Sequence, residues 1–258
     1  MTTMPNAILI PIKRPAALHR LLVLHHACGS ASSYFRWVAA FPENIEVWLI
    51  ELPGRGRSAN SPALSTLTAV RNHLMQLQPL LPDRYAVFGH SMGALLAYCF
   101  AHDMEQLGRA PAWLGVSGAN SPFSPRPRAS GPLHTQGREA ILNYLKTLGG
   151  TPDEIFEHKE IAEMLVRMAQ ADFCLVEKYF PLPRIAPLAL PMTVFAGRQD
   201  HLLSTGGQQA WSHASRTNVG FRHFEGGHFY LFDDANQVQA SIADALNRAT
   251  AEIESSGG

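Results

Sequence analysis

Three shortages narrow the reading of this chain before any motif is considered. Cysteine is scarce: Cys28, Cys99 and Cys174 are an odd, scattered set with no CxxC pair, which argues against a disulfide framework and a zinc site. Net charge is absent, with 21 basic and 21 acidic residues, so the chain offers no global attraction to nucleic acid or anionic lipid. Long apolar runs are missing too. The early stretch from Ala7 to Ile12 contains Pro11 and has its basic residues after it, the reverse of a secretory signal. No segment approaches the roughly 20 apolar residues that span a bilayer. The expectation is a cytoplasmic protein with no membrane, nucleic-acid or metal partner, acting as a monomer.

Apolar residues are plentiful at 46% against 16% charged, enough for a sizeable core in 258 residues. Short β-branched runs alternate with helical patterns, the mark of a mainly parallel sheet flanked by helices. Strands are expected at Leu21–His25, Val47–Leu52, Tyr85–Gly89, Trp113–Ser117, Met192–Ala196 and Val219–Phe224. Helices are expected near Ser32–Phe41, Leu67–Leu80, Met92–Leu107, Ser204–Ser212 and Asn236–Ile253. Between about residues 120 and 191 the alternation fails. A Pro/Arg/Ser-rich stretch leads into helical patterns over Gly137–Leu148 and Pro152–Tyr179, then another Pro-rich stretch. That is longer than an ordinary crossover and reads as a helical lid inserted into a single domain spanning 1–258, with a second small domain as the alternative.

The chemistry concentrates where strands end. Tyr85–Phe88 runs into Gly89-His90-Ser91-Met92-Gly93 and then into a helical stretch: GxSxG between strand and helix. Such a turn strains Ser91, needs tiny neighbours at Gly89 and Gly93, and aims a helix N-terminus at developing negative charge. This is the nucleophile elbow of the α/β-hydrolase fold, whose chain order is serine, acid, histidine. Of twelve histidines, His228 alone lies on a glycine loop just after the last strand; His90 should point away from Ser91 and His223 should lie within the strand. Asp200 ends the loop after Met192–Ala196, where it can orient the imidazole. The alternative acid position one strand earlier, Ser117-Gly118-Ala119-Asn120, carries no carboxylate. Ser91, His228 and Asp200 are therefore the candidate catalytic residues. For the oxyanion, the backbone N–H of Met92 is one donor. Ala27 is the first choice for the other and Cys28 the second.

Together these segments resemble the type II thioesterases that accompany nonribosomal peptide and polyketide synthases. The likeness rests on His25–Tyr34 as the oxyanion segment, on Pro53-Gly54-Arg55-Gly56-Arg57, on an intact GHSMGA, on Gly197–Asp200 and on Gly226–Leu231. His25 and Cys28 stand where the family has proline and glycine. The resemblance implies hydrolysis of acyl or aminoacyl groups from the phosphopantetheine arm of carrier proteins, with no cofactor of the enzyme's own. A carboxylesterase or lipase and a catalytically silent ligand-binding protein are the alternatives. A mobile lid is expected to gate an apolar pocket lined by Leu133, Phe156, Met164 and Phe173, each of which could instead pack within the lid. Arg126, Arg128 and Arg138 at its entrance are candidate docking residues for an acidic carrier protein.

Overall fold

The computed structural model describes residues 7–124, 131–179, 182 and 186–256. Seven strands form one sheet: β1 Ile8–Leu9, β2 His19–Leu24, β3 Ile45–Ile50, β4 Ala86–His90, β5 Leu114–Ser117, β6 Met192–Gly197 and β7 Val219–Phe224. Their order is β1-β3-β2-β4-β5-β6-β7, and every pairing is parallel except that of β1 with β3. The short edge strand β1 has no counterpart in the sequence reading, because two paired residues give no periodicity to detect.

The helices are α1 Phe35–Val38, α2 Leu67–Met75, α3 Met92–Gln106, α4 Arg138–Leu148, α5 Asp153–Glu157, α6 Lys159–Tyr179, α7 Thr205–Gln209, α8 Tyr230–Asp233 and α9 Ala235–Ser256. Successive strand residues face opposite layers. Leu22 and Leu24 of β2 join one core with α2 and α3, while Leu21 and Val23 join the other with α1 and α9. Both faces are covered, so Leu21–Leu24 of β2 and Ala86–Phe88 of β4 read as unbroken apolar runs. On α9 the positions Val238, Ile242 and Leu246 recur every four residues and turn one stripe toward the sheet.

The insertion lies between β5 and β6. It departs from expectation in one respect: the pattern over Pro152–Tyr179 is two helices, α5 and α6, broken at His158, which takes an extended backbone (φ −88°, ψ 104°). Ile141, Leu142, Leu145, Ala162, Leu165, Val166, Ala169 and Phe173 give the insertion a core of its own, and that core rests on Ala27 and Cys28. The turn at Leu133–Thr135 is fastened to α6, since the Glu177 carboxylate accepts the Leu133 and His134 N–H groups at 2.8 and 3.1 Å.

Candidate active site

Parallel pairing brings the strand ends to one edge. His90 pairs with Ser117, Ser117 with Phe195, and Gly197 with Phe224, so the loops after β4, β6 and β7 open side by side. The turn after β4 is tight enough to force Ser91 to φ +56°, ψ −118°, a conformation that only its surroundings can hold. Its neighbours must be glycine for reasons of space. A Cβ on Gly89 would fall 2.0 Å from the Gly93 carbonyl oxygen, and one on Gly93 would fall 2.2 Å from that of Leu24.

The three candidate catalytic residues meet. His228 Nε2 lies 3.0 Å from Ser91 Oγ, and its Nδ1 lies 2.7 Å from Asp200 Oδ2. Asp200 Oδ1 accepts the Leu202 N–H at 3.0 Å, which fixes the carboxylate. Both His228 and Asp200 are buried. With Nδ1–H donated to Asp200, Nε2 is left as the acceptor facing the serine hydroxyl.

Three further histidines, His25, His26 and His90, are buried near these strand ends. His90 packs beside His228, with ring centroids 5.0 Å apart, and its Nδ1 hydrogen-bonds Ser117 Oγ, which in turn meets Tyr230 Oη at 2.6 Å. His26 Nδ1 meets Tyr34 Oη at 3.1 Å. His25 Nδ1 lies 2.9 Å from the His26 carbonyl oxygen and so donates to it. Burial holds His25 and His26 down at about 3, and holds His90 well below the usual imidazole value, with its histidine neighbours adding to the effect. All three stay neutral and put no positive charge beside His228. His223 sits on β7 with an exposed side chain, as its sequence position implies.

The loop after β2 narrows the choice of oxyanion donor. The Cys28 N–H donates to Asp172 Oδ2 at 2.8 Å, Gly29 to the His26 carbonyl at 3.1 Å, Ser30 to Ser33 Oγ at 3.2 Å and Ala31 to Glu51 Oε1 at 3.0 Å. Cys28, the second choice from sequence, is thereby spoken for. From Ala27 to Ala31, Ala27 alone keeps an N–H with no partner among the described residues. Met92 opens α3, where the first N–H groups have no carbonyl in helical register.

The candidate pocket residues divide. Leu133, Phe156 and Phe173 belong to the insertion's apolar core, the packing alternative left open by the sequence. Met164 does not: it is 49% exposed on α6 and stands outside that core. Arg126 and Arg128 lie outside the described residues. Arg138 is exposed and its Nε meets Glu163 at 2.6 Å. Sequence reasoning missed Asp172, although the signal was present: along α6 it falls in register with Ala162, Leu165 and Ala169, a carboxylate in an apolar stripe. Among the described residues no cluster of three or more His, Cys, Asp or Glu is placed to hold a metal ion, and no helix is long and apolar enough to cross a membrane.

The Thioesterase domain family matches the chain over residues 19–249. This chain belongs to the thioesterase family. It is 31% identical to the gramicidin S biosynthesis protein GrsT of Aneurinibacillus migulanus, over 86% of this chain and 87% of that one. It is 32% identical to a Brevibacillus parabrevis protein named linear gramicidin dehydrogenase LgrE, over 94% and 93%. Among solved structures, the type II thioesterase BorB from the borrelidin biosynthetic cluster superposes with a TM-score of 0.85 at 29% identity, covering 95% of this chain and 100% of BorB. The thioesterase structures it matches share the α/β-hydrolase architecture seen here.

Proposed function

We propose that this thioesterase hydrolyses acyl and aminoacyl thioesters carried on the phosphopantetheine arms of synthase carrier proteins, clearing stalled or wrongly primed chains. One observation carries the reading: a serine on a strained elbow lies 3.0 Å from an imidazole that a buried carboxylate orients. Ser91 Oγ attacks the thioester carbonyl while His228 Nε2 takes its proton, and Asp200 stabilises the imidazolium. The Ala27 and Met92 N–H groups face the oxyanion. As the C–S bond breaks, the proton on His228 passes to the departing sulfur, leaving an acyl-serine. Water, deprotonated by the same imidazole, then frees the acid and restores Ser91. A thiol's reference pKa near ~8.5 makes it a good leaving group, so one histidine can serve both halves of the cycle.

The synthase context comes from the likeness to GrsT and BorB. A dehydrogenase, as LgrE is named, would want a dinucleotide cradle after its first core strand. Here that loop reads His25-His26-Ala27-Cys28-Gly29-Ser30, without GxGxxG spacing. In this proposal the enzyme is a cytoplasmic monomer, and the exposed Arg138 of the insertion meets an acidic carrier surface.

The test compares one acyl group on a carrier protein, on a short thiol and on a short alcohol, after a fluorophosphonate has located the nucleophile at Ser91. Higher kcat/KM on the carrier, falling as salt is added, is the expected result. Arg138→Glu should shrink that advantage and spare the short thioester. Preference for the oxygen ester would point to a carboxylesterase, and no labelling at Ser91 to a silent binding protein.

A further inference from the structure

Next to the site lies a buried ion pair that the reaction steps above leave unused. Arg55, in the loop after β3, meets Asp172 of α6 through two parallel contacts: Nη1 to Oδ2 at 2.8 Å and Nη2 to Oδ1 at 2.7 Å. The two side chains are 2% and 1% exposed. Burying such a pair is a poor way to gain stability, because the desolvation cost rivals the attraction. What else the pair touches explains its placement. Asp172 Oδ2 also accepts the Cys28 N–H at 2.8 Å, and Arg55 Nη1 also reaches the Gly29 carbonyl oxygen at 3.3 Å.

The oxyanion loop is thus gripped at two successive residues, by an N–H and by a carbonyl. A third buried charge, Glu51, holds it at the Ala31 N–H. Cys28 is held at φ +63°, a left-handed conformation that a residue bearing a Cβ avoids unless its surroundings impose it. The Cys28 N–H points to Asp172 in the insertion, and the Ala27 N–H has no partner among the described residues. We infer that Arg55 and Asp172 are positioning residues which hold the Ala27 N–H where the oxyanion forms, and that α6 must be docked for the hole to be complete. The inference rests on the thioesterase reading, with Ala27 as a donor.

The double variant Arg55→Met/Asp172→Leu tests it, because it removes both charges together and leaves neither one buried alone. Turnover of a short acyl thioester, KM, Tm and the affinity of an alkyl boronic acid that forms a tetrahedral adduct on Ser91 are read in both proteins. The expected result is a Tm near wild type, kcat lower by 10- to 100-fold, KM within about twofold, and boronate affinity falling with kcat. A folded double variant with kcat within threefold of wild type would overturn the inference, as would a kcat loss with undiminished boronate affinity. Should the double variant fail to fold, Asp172→Glu carries the test, keeping the charge but moving the acceptor by one methylene. A roughly tenfold fall in kcat is expected there, and unchanged turnover in a folded protein overturns the inference. Wild-type turnover is read in the same assay. An inactive wild type would sink the thioesterase reading itself, whereas an active wild type matched by its variants would sink only the positioning role.

Discussion

The sheet and the insertion solve the same problem, burying apolar surface, in ways that leave different traces in a sequence. A strand such as β4 is buried on both faces and has little freedom: Val87 and Phe88 fill opposite cores, and Gly89 has no room for even a methyl group. The insertion has one apolar underside and an exposed top. On α6 that allows Met164 to sit half exposed two residues from fully buried Ala162. Where every position is constrained, residue type reports position. Where only one face is constrained, a hydrophobic residue reports little until its helical phase is known.

The sharpest way to probe that contrast is to strike the loops that the sheet holds up. Ser91→Ala and His228→Ala should each lower kcat on the order of 10⁴-fold or more, with Asp200→Ala somewhat less severe and the triple variant scarcely worse than the singles. Thioester turnover checks this, with Tm held as the control. Near-normal activity in Asp200→Ala would remove the acid from the mechanism.

Acid should come next in size. His25, His26 and His90 are held neutral by burial, so the unfolded chain binds protons that the folded chain refuses. Their contribution is fully present above about pH 6.5 and is lost as pH falls toward about 3, where His25 and His26 finally titrate. Each histidine adds up to about 1.4 kcal/mol per pH unit inside that window. Glu51, whose carboxyl is pushed up by burial, works the other way at the acid end. Denaturant titrations between pH 7 and 4 should give a steep slope that Tyr or Phe at position 26 makes shallower.

Within the insertion, Phe173→Ala should cost about 3 kcal/mol, whereas Met164→Ala should stay within about 0.5 kcal/mol. Chemical denaturation resolves the pair, and equal losses would mean that α6 packs in another phase. Hydrogen exchange should grade the same region: slowest in the sheet, then α6, which the Arg55–Asp172 pair anchors, and fastest over α4 and α5. A uniformly fast insertion would support the picture of one mobile lid. The smallest effect belongs to Cys28→Gly, which frees a left-handed residue from its Cβ. It should leave turnover intact and change stability by no more than about 1 kcal/mol, in the stabilising direction if the loop stays in place.

Much of this was legible in the primary structure, for identifiable reasons. GHSMGA, the Asp200 loop and the His228 loop could be read because the elbow tolerates only glycine at Gly89 and Gly93, and because parallel strands deliver all three loops to one edge. The break at His158 was not, since α5 and α6 continue one apolar stripe through it. Asp172 escaped because its meaning depends on Arg55, 117 residues away in the chain. A carboxylate on an apolar face is a conspicuous anomaly, but only the fold names its partner.

Those separations also bear on when the enzyme comes into being. Cys28 waits for an acceptor made 144 residues later, and Ser91 for an imidazole made 137 residues later. Contacts so distant along the chain close late, after local helices and neighbouring strands have formed. A nascent chain that has completed β1 to β5 already carries Ser91 and the loop after β2, with Glu51 and Arg55 to hold that loop, but neither Asp172 nor His228. A chain truncated before β7 therefore has a serine elbow without the imidazole that faces it in the folded protein.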